Sequence, residues 1–179
     1  MRRLLLPLAG LTLVGFCALP CCAQTIPPIQ AKALDGSEVI LPKPGSQQLL
    51  ILVVGFSHKS GEACRAWGKR LAVDYASDPH TVVYQLAELQ GAPSMVRGFI
   101  VRGMRKDVPP AQQSRFVPLF DHEADWKKTV NFSAPDDAYL VVADPEGHAL
   151  WQTHGLVNDS AYTDLQAAIS KFSANTPKL

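Results

Sequence analysis

The stretch GFSHKSGEAC, residues 55–64, follows the apolar run LLILVVGF and ends on a cysteine at the start of a helical pattern. Two cysteines separated by two residues at a helix start can exchange disulfides. The first attacks as a thiolate, stabilised by unpaired backbone N–H groups and the helix dipole, and the second resolves the mixed disulfide. Counting from Phe56, the last bulky strand residue, the attacking position falls on Gly61 and the resolving position on Cys64. GEAC therefore stands where such a pair would be, with the attacking sulfur missing. Three readings of Cys64 remain open. It is a reactive thiol, with Ser60, Gly61 and Arg65 as its neighbours, a packing residue, or one half of an intermolecular disulfide. Cys64, Trp67, Leu71 and Tyr75 recur at three- and four-residue steps, an apolar helical stripe that favours packing, since unpaired cysteine is among the most buried residue types. A helix N-terminus would lower the thiol pKa, whereas burial and the nearby Glu62 would raise it.

Other residue types offer less. His58, His80, His122, His148 and His154 are spread singly along the chain, and no two have the close spacing of a metal-binding helix, so no metal is expected. No cofactor is expected either, because no glycine loop of the phosphate-cradling type is present. Arg97, Arg102, Arg105 and Lys106 make the stretch SMVRGFIVRGMRK basic. It is either an ordinary solvated face or a contact for an acidic partner or lipid headgroups.

The 179-residue chain carries 17 basic and 16 acidic residues. Near-neutral charge gives no case for nucleic acid as a partner. The opening MRRLLLPLAGLTLVGFCALPCCAQ has two arginines, an apolar centre and a small-residue end, the layout of a secretory signal peptide over 1–23, with cleavage near Ala23. The same stretch kept as a transmembrane anchor and a lipid anchor on Cys21 or Cys22 are the competing possibilities. Either way the expected location is exported, periplasmic or extracellular and potentially membrane-proximal. Three of the four cysteines (Cys17, Cys21, Cys22) lie in that segment. The mature chain then keeps only Cys64 and cannot form an internal disulfide, although its compartment would permit one.

An extended leader is expected over 24–33 (QTIPPIQAKA), one domain over 34–173 and a disordered tail over 174–179. Within the domain EVILP reads as a short strand after the Asp35-Gly36 turn, and QLLILVVGF (48–56) as a strand buried on both faces. Ser60 is the expected cap of the first helix. A strand over 81–89, an amphipathic helix over 94–106 stopped by Pro109-Pro110, a short strand over 116–121 and a short helix over 123–130 follow. AYLVVADPEGHALWQTHG (138–155) is the clearest hairpin, turning at DPEG, and SAYTDLQAAISKF (160–172) is the last helix.

Strand–helix–strand–helix followed by hairpin–helix is the thioredoxin order, an α/β three-layer sandwich with a central mixed sheet flanked by helices. GFSHKSGEACRAW, RGMRKDVPP and DDAYLVVADPEGHALWQTHG together resemble the thioredoxin-like group that contains the mitochondrial ATP synthase assembly factor, over roughly residues 30–172. A TlpA-like protein with its active cysteines lost is similar almost as well. The resemblance implies a thioredoxin fold acting as an assembly chaperone rather than an oxidoreductase. A secretory signal is out of place in a mitochondrial protein, so the ATP synthase client is not carried over, and the protein partner is unknown. In thioredoxin-type proteins a cis-proline precedes the hairpin strand and lines the site. The matching position here is Ala138, with Pro135 three residues earlier. Peroxiredoxins, the related one-sulfur enzymes, place a proline seven residues and a threonine or serine three residues before their cysteine. Ser57 and Gly61 hold those places. The expectation is a binding or assembly module whose partner surface lies over the old active site, near His58, Ser60, Trp67 and Ala138. The alternative is a single-cysteine thiol peroxidase or reductase using Cys64.

Overall fold

The computed structural model describes residues 24–175, with side chains from 24 to 172. The signal segment over 1–23, its cleavage near Ala23 and residues 176–179 of the expected tail lie outside the described residues. Residues 174–175, expected in that tail, belong to the last helix.

The elements run in order β1 (Ile29–Lys32), β2 (Glu38–Leu41), β3 (Leu49–Gly55), α1 (Ser60–Tyr75), β4 (Thr81–Glu88), α2 (Ser94–Asp107), a 3-10 turn (Pro110–Arg115), β5 (Phe116–Leu119), α3 (Glu123–Thr129), β6 (Ala138–Ala143), β7 (Ala149–His154) and α4 (Asp159–Asn175). Five strands form one mixed sheet in the order β5-β4-β3-β6-β7. β3 lies at its centre, parallel to β4 and antiparallel to β6. That placement explains its unbroken apolar run, because a central strand covered on both faces has no polar side to present. The pleat sends alternate residues to opposite layers. Leu49, Ile51 and Val53 meet Trp67 and Leu71 of α1 and Tyr162, Leu165 and Ile169 of α4. Leu50, Leu52 and Val54 meet Trp126 of α3 together with Ile26, Ile29, Val39 and Leu41.

The stretch read as a leader is part of this second layer. β1 pairs antiparallel with β2, Ile29 opposite Leu41, and Ile26, Ile29 and Ala33 are buried. Thr25 bridges His148 in the β6–β7 turn. Leu34 N–H is held by the carbonyl oxygens of Gln113 and Phe116, at 3.1 and 2.9 Å, which ties the end of the hairpin to the edge strand β5. Pro27-Pro28 suggested an extended chain, and the chain is extended, but apolar side chains on either side of the prolines draw it onto the sheet. The second helix departs from expectation in the other direction. No residue of α2 is buried.

Candidate functional site

The loop after β3 is built on reciprocal serine contacts. Ser60 is the first residue of α1 rather than its cap. Ser57 Oγ accepts the Ser60 N–H at 3.0 Å, Ser60 Oγ accepts the Ser57 N–H at 3.3 Å, and the Ser60 hydroxyl donates to the Ser57 carbonyl at 2.8 Å. This satisfies a first-turn N–H in the manner of a capping box, with serine in both roles. Ser57 Oγ also donates to Asp136 at 3.0 Å, and Lys59 Nζ lies 3.7 Å from the same carboxylate. Phe56 packs edge-on against Phe132 and Tyr139, with centroids 5.0 and 5.5 Å apart. The loop is thus held by rings on one side and by Asp136 on the other.

Gly61 is half-buried at the first turn, and a Cβ added there would meet nothing within 4 Å. Cys64, one turn on, is 8% exposed and unpaired. Its Sγ faces the end of β3 so closely that a Cβ on Gly55 would come within 2.9 Å of it and within 2.8 Å of Ser60 Oγ. Burial pushes the thiol up to about 11, against the smaller opposing pull of the Ser60 hydroxyl and its own backbone. At neutral pH the sulfur is therefore almost wholly protonated, and the protonated form is a poor nucleophile. Arg65 is exposed and is not among the groups acting on the thiol.

Of the four residues expected at the partner surface, only His58 is exposed. Ser60, Trp67 and Ala138 are each fully buried. Trp67 Nε1 donates to the Gly155 carbonyl at 3.0 Å and its ring stacks on Tyr162. Helical spacing placed Trp67 next to the cysteine but did not say that α4 and the end of β7 would close over it. Ala138 begins β6 directly opposite Gly55. The only cis peptide among the described residues joins Leu41 and Pro42, so neither Ala138 nor Pro135 follows a cis bond.

The surface beside His58 is completed by residues to which the sequence assigned no binding role. Asp136 and Asp137 precede β6, and His154 ends β7. Asp137 takes a hydrogen bond with His154 Nδ1 at 2.7 Å, and the His154 ring stacks on Tyr139 at 5.3 Å. Tyr139 hydroxyl in turn accepts the Ser133 and Ala134 N–H groups at 2.9 and 2.8 Å, fixing the loop that carries both aspartates. The signal in the sequence was the DDA triplet, two adjacent acids leading into an apolar strand. Together Ser57, His58, Lys59, Asp136, Asp137 and His154 form a mixed-charge rim around the start of α1. Asp144, Glu146 and His148 come together in the β6–β7 turn with ligand atoms within 4.8 Å of one another. His148 Nδ1 is already engaged by Asp144 at 2.9 Å, so this set of metal-binding residue types is accounted for by the turn itself.

No protein-family model matches the chain, and no curated protein matches it in sequence. Solved structures do. The thioredoxin domain of a thiol-disulfide oxidoreductase from Bacteroides vulgatus superposes with a TM-score of 0.55 at 17% identity, over 81% of this chain and 95% of that one. The exposed lipoprotein thioredoxin of Streptococcus pneumoniae gives 0.55 at 14% identity, over 80% and 99%. A protein assigned as the thiol:disulfide interchange protein DsbE of Chlorobium tepidum gives 0.55 at 13% identity, over 83% and 95%. The chain has a thioredoxin-like α/β fold, and at these identities the likeness establishes the fold alone.

Proposed function

We propose that this chain is an exported thioredoxin-fold binding module without dithiol chemistry, working through the rim at the start of α1. The observation that carries the reading is the pairing of positions 61 and 64. Glycine stands where the attacking sulfur is needed, and the remaining sulfur is buried against Gly55 with its pKa raised to about 11. Export rests on the signal-like opening of the chain. No helix among the described residues is long and apolar enough to cross a membrane. The assembly role implied by the family resemblance fits a module of this kind, with a partner recognised by His58, Lys59, Asp136, Asp137 and His154 rather than by Ser60, Trp67 or Ala138.

A second reading has one observation in its favour. Cys64 lies near the start of α1, and solved structures that share the fold include thiol-disulfide oxidoreductases. In that reading a Cys64 thiolate attacks a peroxide. An S–O bond forms as the O–O bond breaks, and the departing oxygen leaves as water or alcohol. One external thiol then displaces water from the sulfenic acid to give a mixed disulfide. A second releases Cys64 as the thiol, with an external disulfide as product.

Alkylation of the native chain decides between them. A thiol at about 11 rather than at the usual 8.5 is roughly 300-fold less ionised at neutral pH. The greater nucleophilicity of a high-pKa thiolate offsets part of this, so native Cys64 is expected to react at least about tenfold more slowly than free cysteine, and to react fully on unfolding. A native rate close to that of free cysteine, with hydrogen peroxide consumed in step with sulfenic acid formation, would overturn the binding-module reading in favour of the one-cysteine enzyme.

A further inference from the structure

Helix α2 is held to the body by its ends and presents an apolar stripe outward. At its start Arg97 donates from Nε to the Ala92 carbonyl and from a terminal nitrogen to the Gln90 carbonyl, both at 2.9 Å, with its guanidinium over the Phe120 ring. Near its end Arg105 Nε donates to the Leu34 carbonyl at 2.6 Å, and Gln113 donates to the Arg105 and Val108 carbonyls. Ile100, Val101 and Met104 are half-buried. The opposite side follows the spacing Met95, Phe99, Arg102, Lys106, one turn apart each. Met95 is 95% exposed and Phe99 74%, with Val96 beside them also exposed. On the other helices Trp67, Leu71, Trp126 and Leu165 are turned inward, and Val73 of α1 is the large apolar side chain that stands exposed alone. Two of the largest on one outward stripe ask for an apolar covering.

The charges say which covering fits. The same stripe continues into Arg102 and Lys106, both exposed, and α2 has no carboxylate before Asp107 at its last position. A helix with bulky apolar side chains and basic ones on one convex face matches a bilayer interface. Apolar groups enter the headgroup–acyl boundary there, and lysine and arginine extend along it to negative headgroups. The face is a ridge rather than a groove, and its charge is of one sign, so it suits a surface of uniform negative charge better than a shaped protein site.

We propose that α2 docks this protein onto an anionic lipid surface, with Met95 and Phe99 inserted and Arg102 and Lys106 paired with headgroups. The inference goes beyond the binding-module reading and uses none of the residues of the α1 rim, so it stands whether or not Cys64 reacts. The test uses residues 24–179, a span that leaves out the apolar segment 1–23 and contains both packed core layers. The protein is sedimented with phosphatidylcholine vesicles, with and without phosphatidylglycerol. Binding is expected only with phosphatidylglycerol, weakening as salt rises. Met95→Ser with Phe99→Ser is expected to lower the partition coefficient at least about tenfold. Arg102→Gln and Lys106→Gln are expected to lower it about fivefold each. The replaced side chains are exposed, so thermal melts of the variants should match the parent and show that a loss is not unfolding. Failure of the parent to sediment with anionic vesicles, or serine variants that bind as well as the parent, would overturn the proposal and leave the ridge to a protein partner. Success here combined with a fast-reacting Cys64 would sink the α1 reading alone.

Discussion

Cys64 and Gly61 lie one turn apart on α1, and the difference between them is a single missing side chain. The space for it is open, since a Cβ at 61 meets nothing within 4 Å, while the sulfur at 64 is packed against Gly55. Residues three apart on a helix have Cα atoms about 5 Å apart, inside the roughly 4.4–6.8 Å that a disulfide spans. Gly61→Cys is therefore expected to form a 61–64 disulfide under mild oxidation, seen as loss of both alkylatable thiols in the unfolded, unreduced protein. Two free thiols after oxidation would mean that Gly61 does not occupy the attacking position. Serine at 61 provides the control that adds a side chain but no sulfur. Cys64, Gly61 and their spacing were legible from the chain because strand and helix periodicity fix position along an element. The burial of Cys64 was only suggested, because the stripe shows which side of α1 is apolar but not how tightly β3 meets it.

Where β4, β5 and α3 converge, a single carboxyl couples the elements. Glu88 ends β4 at 6% exposure. One of its oxygens accepts the Gln90 N–H at 2.7 Å, and the other has no partner. Burial is the main cause that raises its pKa to about 7, and the carboxylates of Glu123 at the start of α3 and Asp121 before it add to the rise. Glu123 is itself paired with Lys127 at 2.6 Å, which leaves the Glu88 oxygen without a cation. The folded pKa lies above the unfolded value of 4.5. Between those two values the unfolded chain releases its proton first, so stability falls as pH rises, and above pH 7 the full penalty of a buried charge is present. Glu88→Gln keeps an acceptor for Gln90 and is expected to stabilise the domain by about 1–2 kcal/mol at pH 8. At pH 4 it is expected to change stability little. Urea unfolding at the two pH values measures this, and an equal effect at both would refute the assignment. Sequence spacing could not show it, because Glu88 is far along the chain from Asp121 and Glu123 and meets them only when β4 packs beside the start of α3.

Taken as one molecule, the domain is closed by residues that read as a tether. Ile26, Ile29 and Ala33 sit in the same apolar layer as Leu50, Leu52, Val54 and Trp126. Burying two isoleucines contributes about 1.5–3 kcal/mol each, a large share of the about 5–15 kcal/mol that holds a domain folded. A chain beginning at Leu34 is expected to lose its cooperative thermal transition or melt far below the chain beginning at Gln24. Circular dichroism melts of the two compare them directly, and equal midpoints would show the hairpin to be dispensable.

The amino-acid sequence by itself determined the order of the elements, the buried central strand, the β6–β7 hairpin and the single sulfur at the start of α1. Each follows from local periodicity or turn chemistry, which a chain carries with it before it folds. The tertiary structure decided the rest. It buried Ser60, Trp67 and Ala138 and left His58 at the surface, because exposure depends on what the other elements cover. It brought Asp136, Asp137 and His154 to that surface across long stretches of chain. It left Met95 and Phe99 exposed on α2 while Ile100, Val101 and Met104 on the opposite side are half-buried. Helical period defines where side chains point around an axis, but only the neighbours of that axis decide which direction is inside.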